Sequence, residues 1–252
     1  MSKDFLSLAR RLERAQALQN DRFNAASGGR SLPVGGGFAH HRGEGHPLNQ
    51  ALGLIDPLAE SELAAVEAFL GAPTVLELSP AADSELWPLL ARRGYRLQMF
   101  QQLWVNFLET VDPSPGRSAV RVAAVAEADL YNRVVAGGFF ERDDWAAFEP
   151  PFATPLGLPD AWGFLAFADG EPAGGGMLGI VEGVALLSGD GVLPRFRGRG
   201  LQKALIRARL AFAAGRGCDV ACAGTAPGTA SQRSYEACGF RAAYPKVEMA
   251  RD

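Results

Sequence analysis

The clearest hydrophobic pattern in the chain lies between residues 185 and 215. An apolar, strand-like run from Ala185 to Val192 leads into a basic turn that contains two glycines. From Gly200 onward, apolar side chains return every three or four residues and form one stripe, made of Leu201, Ala204, Leu205, Ala208, Ala211 and Phe212. This spacing predicts an amphipathic helix that begins near Gly200 and ends at Gly215.

The turn between this strand and this helix has the composition of an anion-binding site. Gly198 and Gly200 let the backbone curl and leave room for a close ligand. The free N–H groups of the helix's first turn and its positive dipole end face the same point. Arg197, Arg199 and Lys203 add positive side chains. The turn therefore predicts a phosphate or pyrophosphate ligand.

Three other kinds of segment fit the turn less well. A Walker A loop has four residues between its glycines and ends in Gly-Lys-Ser or Gly-Lys-Thr, and this turn has neither feature. The dinucleotide fingerprint needs a third glycine. RNA-binding arginine-glycine segments are long and disordered, whereas a strand and a helix flank this turn directly. A basic turn without a ligand remains as the alternative.

Two segments resemble motifs of the GNAT N-acetyltransferases. The stretch from Arg197 to Gln202 resembles motif A, R/Q-x-x-G-x-G/A, except that Gln202 stands where the family has Gly or Ala. The stretch from Thr229 to Phe240 resembles motif B, with matches at Ala230, Ser231, Tyr235, Gly239 and Phe240, and with Gly228 where the family often has Asn. The resemblance covers about residues 118–250, including a hairpin signal at Asp169-Gly170.

The resemblance implies a site for acetyl-CoA, the acyl donor. The residues that would bind it are Gly191, Val192, Arg197, Gly198, Arg199, Gly200, Leu201, Gln202, Lys203, Ser231 and Tyr235. Tyr235 stands at the family's proton-donor position, and the alternative is a tyrosine that only packs on the coenzyme. A backbone N–H for the thioester oxygen maps onto Asp190-Gly191-Val192, where Gly191 suits a bulge. Asp190 and Glu182 are the candidates for the general base.

A weaker copy of the C-terminal pattern lies in the first half of the chain. Gly71 to Arg96 parallels Gly215 to Arg241, and a helix-like segment, Glu60 to Leu70, precedes it. Where the second copy has its basic turn, the first reads Leu52-Gly53-Leu54-Ile55-Asp56-Pro57, followed by Glu60 and Glu62. Carboxylates at that helix start would repel a pyrophosphate. Chance similarity of spacing between α/β segments is the alternative.

The repeat and the resemblance together predict an α+β fold of two tandem GNAT-like domains, each a mostly antiparallel central sheet flanked by helices. We expect a degenerate domain without a coenzyme site at residues 1–111, a linker at 112–117 and an acetyl-CoA-binding domain at 118–252. The first domain would serve as scaffold, lid or acceptor-binding wall. A fragment starting near Ser118 would then keep the coenzyme site.

Composition narrows the class of protein further. The net charge of −3 argues against general nucleic-acid binding. The charged, amphipathic start of the chain is unlike a signal peptide, and no apolar run reaches transmembrane length. Cys218, Cys222 and Cys238 are odd in number and indicate buried thiols in a reducing cytoplasm.

Two further groups of residues leave alternatives open. His40, His41 and His46 cluster in a glycine-rich segment, where surface-loop histidines are favoured over a metal site because only Glu44 could be a further ligand. We therefore expect no metal. The aromatic and acidic run from Phe139 to Phe148 either shapes an acceptor pocket or is an amphipathic helix.

The sequence thus predicts a cytoplasmic N-acyltransferase that moves an acetyl group from acetyl-CoA to a primary amine of a small acceptor, with neither nucleic acid nor membrane as partner. Transfer of a longer acyl group, or transfer to a hydroxyl, is the alternative among enzymes. An acyl-CoA-binding sensor or partner-binding module without turnover is the alternative outside them. The acceptor, the acyl preference and the oligomeric state stay open.

Overall fold

The chain divides into two compact units in the computed structural model, which describes residues 3–112, 119–151 and 153–252. The first unit comprises Met1–Leu103 together with Ala243–Asp252, and the second comprises Trp104–Ala242. The first unit therefore draws on both ends of the sequence, while the second is one continuous segment.

The first unit is a sheet with helices. Its elements are α1 (Lys3–Ala26), β1 (Arg30–Val34), β2 (Gly37–His41), β3 (Gln50–Leu52), α2 (Glu60–Leu70), β4 (Thr74–Leu78), α3 (Leu86–Arg92) and the start of β5 (Arg96–Phe107). The strands lie in the order β1-β2-β3-β4. The β1–β2 and β2–β3 pairs are antiparallel, and β3–β4 is parallel, with Ala51 opposite Leu76.

The second unit repeats this order of elements after one additional strand, β6 (Val120–Val122). It then contains α4 (Ala128–Phe139), β7 (Ala161–Ala168), β8 (Glu171–Val181), β9 (Val184–Val192), α5 (Leu201–Ala214), β10 (Val220–Thr225), α6 (Ala230–Glu236) and the start of β11 (Arg241–Arg251). Its strands lie in the order β6-β7-β8-β9-β10, with β9–β10 the parallel pair. The predicted α+β fold with mostly antiparallel sheets is confirmed.

The two copies exchange their last strands. In the first unit, β11 pairs antiparallel with β4, with Val247 opposite Leu78. In the second unit, the end of β5 lies beside β10: the Trp104 indole N–H donates to Thr225 Oγ1 at 2.9 Å, and Leu108 N–H donates to the Asp219 carbonyl at 2.9 Å. Each copy's final strand therefore completes the sheet of the other copy.

This exchange explains why the division differs from the expected boundary. We expected one domain at 1–111 and another at 118–252, whereas the structure divides the chain after Leu103 and assigns Ala243–Asp252 to the first unit. The expected linker, except Asp112, lies outside the described residues. A local spacing pattern cannot reveal which strand pairs with which across the chain.

Each unit has its own hydrophobic core. In the second unit, α5 packs Leu205, Ile206 and Leu210 into a cluster that also holds Trp104, Leu108, Phe164, Tyr235 and Phe240. The core of the first unit is built from α2, α3 and the strands, including Leu54, Leu63, Leu76 and Leu90. Among the helices that the structure describes, none combines the length and the apolar character that a membrane span requires.

Candidate functional site

The site is organised by a gap between the parallel strands β9 and β10. Their paired residues run from Val184 opposite Val220 to Leu187 opposite Ala223. Both strands continue beyond the last pair, β9 to Val192 and β10 to Thr225. The strands therefore separate at their carboxyl ends, where the backbone of β9 is left without a parallel neighbour.

A bulge in β9 lies at this gap. Opposite β8, Gly191 pairs with Gly175 and Ser188 pairs with Met177, so β9 has one residue more than β8 in this interval. The sequence predicts this bulge at Gly191, and that position is wrong. The bulge lies at Gly189 and Asp190, and Gly189 has a positive φ of 62°. Gly191 is needed for another reason, because a Cβ there would meet the Val135 carbonyl oxygen of α4 at 2.3 Å.

The turn after β9 has an open backbone. A short 3-10 turn, Pro194–Phe196, leads to Gly198 and Gly200, with φ of 75° and 78°, and Gly200 precedes α5. A Cβ on either glycine would have no atom within 4 Å. Within the described part of the chain, no backbone carbonyl accepts from the N–H groups of residues 198–203. These N–H groups are therefore available to a ligand, as the sequence predicts.

The basic side chains of the turn are already paired. Arg197 donates to the carbonyls of Val192 at 3.2 Å and Gly138 at 3.0 Å and to Glu141 at 2.7 Å, so it ties the turn to the end of α4. Arg199 pairs with Asp169 at 2.6 Å, while the Lys203 side chain is exposed. The pairs to Glu141 and Asp169 lie at the surface, where such a pair contributes only about 0–1 kcal/mol. An anion can therefore replace these carboxylates at small cost.

Gln202, the departure from motif A, connects two helices. Its side-chain amide donates to Ser231 Oγ at 3.2 Å and its carbonyl accepts from Ser234 Oγ at 3.2 Å. Both serines lie on α6. Thr229 caps that helix by accepting from the Gln232 N–H. The longer side chain at 202 thus fixes the motif B helix against the motif A helix.

Beneath the gap lies a buried charged network. The Arg209 guanidinium on α5 is fully buried and donates to Asp190 Oδ1, and the Tyr235 hydroxyl on α6 donates to Asp190 Oδ2. Arg209 also donates to the carbonyls of Leu205 at 3.1 Å, Met177 at 2.9 Å and Ser188 at 3.3 Å. Burial raises the pKa of Tyr235 well above its ordinary value, and the Asp190 carboxylate adds to this shift.

The structure brings Asp190 and Tyr235 together but separates Glu182 from them. Glu182 has a φ of 50° and lies with Gly183 in the tight turn between β8 and β9, at the far end of β9 from the gap. At about 3.3 Å per residue, the stretch of β9 from Val184 to Asp190 spans roughly 20 Å, and Glu182 lies beyond Val184. Of the two candidate bases, only Asp190 therefore lies at the gap.

Sequence reasoning missed Arg209 and Tyr131. Arg209 follows Leu205 by one helical turn on the apolar side of α5, and a charge at such a position is the signal that could have identified it. Tyr131 on α4 is buried next to the same network, and burial raises the pKa of its hydroxyl. The sequence does not reveal either residue as part of the site, because helical periodicity does not identify which polar side chains are buried.

The segment after α4 is a turn rather than a helix. The helix ends at Phe139, and Phe139 and Phe140 are both exposed. Arg133 fixes the following turn by donating to the Phe148 carbonyl at 3.1 Å and to Glu149 at 2.9 Å. The helix alternative for Phe139 to Phe148 is therefore wrong, and the acceptor-pocket alternative stays a prediction.

The histidines and cysteines differ in their burial. His40 is buried on β2, which corrects the expectation of a surface loop for this residue, while His46 lies in the loop after β2. Among the described residues, no three His, Cys, Asp or Glu side chains are grouped so as to hold a metal ion. Cys218 and Cys222 are buried, reduced thiols and Cys238 is partly exposed.

Residues 128–240 match the family model described as the acetyltransferase (GNAT) family. A search among curated proteins gave no match. A GCN5-related N-acetyltransferase from Kribbella flavida superposes with a TM-score of 0.67 at 21% identity, over 96% of this chain and 95% of that chain. A putative GNAT-family acetyltransferase from Novosphingobium aromaticivorans superposes with a TM-score of 0.52 at 24% identity, over 76% of this chain and 79% of that chain.

A third similar structure is a tandem GNAT protein from the clavulanic acid biosynthesis pathway. Its TM-score is 0.53 at 15% identity, over 76% of this chain and 67% of that chain. At these identities the structures show a shared fold, and the family model adds the match in sequence. The second unit, which contains the matched residues, is therefore a domain of the GNAT acetyltransferase family.

Proposed function

We propose that the second unit transfers an acetyl group from acetyl-CoA to a primary amine of a small acceptor. The observation that carries this proposal is the position of the open turn at Gly198 and Gly200, which adjoins the gap between β9 and β10. A ligand with an anionic group and a long extended arm fits such a site, because the anion binds the turn while the arm follows the unpaired edge of a strand.

The pyrophosphate of the coenzyme would bind the N–H groups of residues 198–203 at the start of α5. Arg199 and Lys203 would supply charge, and Arg197 would hold the turn in shape through its two backbone contacts. The edge of β9 at Gly191 and Val192 would pair with the amide-containing arm. This placement leads the thioester toward Asp190 and Tyr235.

Acyl transfer to an amine requires one proton to leave the nitrogen and one to reach the departing sulfur. Tyr235 is supported as a participant because its buried hydroxyl donates a hydrogen bond to Asp190, which lies in the bulge beside the gap. Replacing the hydroxyl while keeping the ring tests this role. Tyr235→Phe is expected to lower turnover by about a hundredfold with little change in acetyl-CoA affinity.

The proposal is tested first on the full chain by thermal shift and calorimetry with acetyl-CoA and longer acyl-CoAs, and then by thiol release over pools of amines. Binding followed by amine-dependent thiol release supports it. Tight binding with no release over amine and alcohol pools would instead identify a sensor. No binding of any acyl-CoA would remove the coenzyme site altogether.

A further inference from the structure

Arg209 is an unusual residue for the interior of this unit. Its side chain is fully buried although arginine is among the residues least often found inside. A buried ion pair contributes little net stability, since apolar side chains of similar size often replace it without loss. The contacts of Arg209 therefore matter more than its contribution to the core.

Those contacts surround the bulge in β9. Arg209 Nη1 donates to Met177 on β8 and to Ser188 on β9, the two residues that face each other at the edge of the bulge. Arg209 Nη2 donates to Asp190 Oδ1, inside the bulge. One planar guanidinium thus fixes both the irregular backbone and the carboxylate that it presents.

The carboxylate in turn fixes the direction of the Tyr235 hydroxyl. The hydroxyl donates a hydrogen bond to Asp190 Oδ2. The lone pairs of the phenol oxygen can therefore accept a hydrogen bond from another group. A phenolate at this position would be buried beside a carboxylate, which opposes its formation. It is therefore energetically unfavourable for Tyr235 to donate its proton to a leaving group and remain as a phenolate. A transfer in which the phenol gives one proton and takes another, and so stays neutral, avoids this cost.

We propose that Asp190 and Tyr235 form a two-way proton relay and that Arg209 is the positioning residue that holds it. This inference rests on the proposed acyl transfer. As the amine nitrogen forms its bond to the thioester carbon, an N–H proton moves to Tyr235 Oη while the Oη proton moves to Asp190 Oδ2. As the C–S bond breaks, Tyr235 gives a proton to the sulfur and takes one back from Asp190.

The relay balances without any further reactant. The amine loses one proton, the sulfur gains one, and Asp190 and Tyr235 return to their starting states. One pair of residues thus serves as base in the first half of the reaction and as acid in the second. The other titratable groups nearby are Tyr131 from α4 and Cys238 after α6, and burial raises the pKa of both.

The test uses Asp190→Asn, Arg209→Lys and the double variant Arg209→Met with Asp190→Asn in the full chain. The double variant removes both buried charges and so avoids an unpaired ion in the core. Arg207→Lys is the matched control, because Arg207 is an exposed arginine on the same helix. Acetyl-CoA affinity and kcat are measured separately for each variant.

We expect Asp190→Asn and the double variant to lower kcat by about a hundredfold, and Arg209→Lys by about tenfold, with affinity within about threefold of the unchanged protein. Arg207→Lys should behave as the unchanged protein.

Failure of the relay and failure of the proposed function give different results. If folded Asp190→Asn retains kcat, the relay is overturned while acyl transfer stands. If affinity falls in step with kcat in all the Arg209 and Asp190 variants, the network shapes the binding site and the relay is likewise overturned. If the unchanged protein binds acetyl-CoA but releases no thiol with any amine, both proposals fall.

Discussion

The two units share one order of elements, counted from α1 and from α4, but they differ in the turn that follows β3 in the first unit and β9 in the second. In the first unit, a Cβ on Gly53 would meet the Ala17 side chain at 2.7 Å, and Leu54 is buried in the core. The N–H groups of Ile55 and Asp56 both donate to the Gly35 carbonyl, at 2.8 and 2.9 Å. In the second unit, the corresponding glycines face open space. The same turn is thus filled in one copy and left open in the other.

The N-termini of the helices that follow these turns, α2 and α5, differ in the same way: the first is capped and the second is open. Glu62 on α2 reaches back to accept from the Ala59 N–H at 2.8 Å, so the protein itself supplies the negative charge at that helix start. At the start of α5, Gly200 provides no side-chain cap. An uncapped helix start beside an open turn is therefore the feature that distinguishes the second copy from the first.

The largest expected effect concerns the exchanged strands. A fragment of residues 104–242 should fold and bind acetyl-CoA, whereas a fragment of residues 118–252 should be unfolded, because it lacks Trp104 and Leu108 from its core and carries Ala243–Asp252 without its partner β4. This revises the expectation that a fragment starting near Ser118 is sufficient. Circular dichroism and calorimetry on both fragments provide the measurement.

Equal folding and equal affinity of the two fragments would show that the second copy does not need the strand it receives. Binding by neither fragment, although 104–242 is folded, would mean that the first unit contributes directly to the coenzyme site.

Next in size is a charge placed in the open turn. Gly200→Asp should weaken acetyl-CoA binding by about a hundredfold, close to 3 kcal/mol, because a carboxylate would stand at the proposed position of the pyrophosphate. Gly217→Asp is the matched control, since Gly217 follows the other end of α5, has a φ of 76° and also faces open space. Calorimetry measures affinity, and thermal unfolding should show equal stability losses.

An unchanged affinity in folded Gly200→Asp would remove the turn from the coenzyme site. Gly53→Asp is not a useful control, because its side chain would collide with Ala17 and destabilise the first unit.

A smaller effect is expected from the interior of the first unit. Burial lowers the pKa of His40 to about 4, and its Nε2 has no partner in the described part of the chain. The unfolded chain, whose histidine titrates near 6.5, therefore binds the proton first. Stability should be full above about pH 6.5 and should fall by roughly 1–3 kcal/mol as the pH approaches 4.

Urea unfolding across this pH range measures the loss, and His40→Phe should flatten it without changing acetyl-CoA affinity at neutral pH. A change of affinity in that variant would contradict the view that the first unit only supports the second.

The smallest effect concerns the contact between α5 and α6. Gln202→Ala removes the hydrogen bonds to Ser231 and Ser234 and should lower the free energy of unfolding by about 1 kcal/mol. Ser234→Ala should give about half that loss, and the double variant should add little to Gln202→Ala. Chemical denaturation measures all three. Additive losses would show that Gln202 does not act through these serines.

The sequence predicted the parts of the second unit that depend on neighbouring residues. The turn at Gly198 and Gly200 and the helix that follows were recognised because glycine punctuation and helical spacing are local signals. The hairpin at Asp169-Gly170 was recognised for the same reason, and both residues have a positive φ. Motif B was placed at Thr229 to Cys238, and the helix is Ala230–Glu236.

The features of the fold and the site that the sequence does not predict depend on contacts between distant segments. The exchange of β5 and β11 leaves no mark in the periodicity of either strand. Arg209 reads as one more arginine on a basic helix until the bulge at Asp190 is placed beside it. Glu182 is a candidate base in the sequence because it lies near the central strands, and its place at the far end of β9 from Asp190 is visible only in the strand geometry.

The exchanged strands also have a consequence for the order in which the protein is made. Gln101 on β5 donates to Glu248 on β11 across 147 positions of sequence, and Tyr244 donates to Glu13 across 231 positions. The ribosome finishes β4 long before β11 exists, so the first unit cannot close its sheet during its own synthesis. Contacts so distant in sequence make folding slow. The second unit is one continuous segment that ends at Ala242, so its sheet can form before the first unit receives β11.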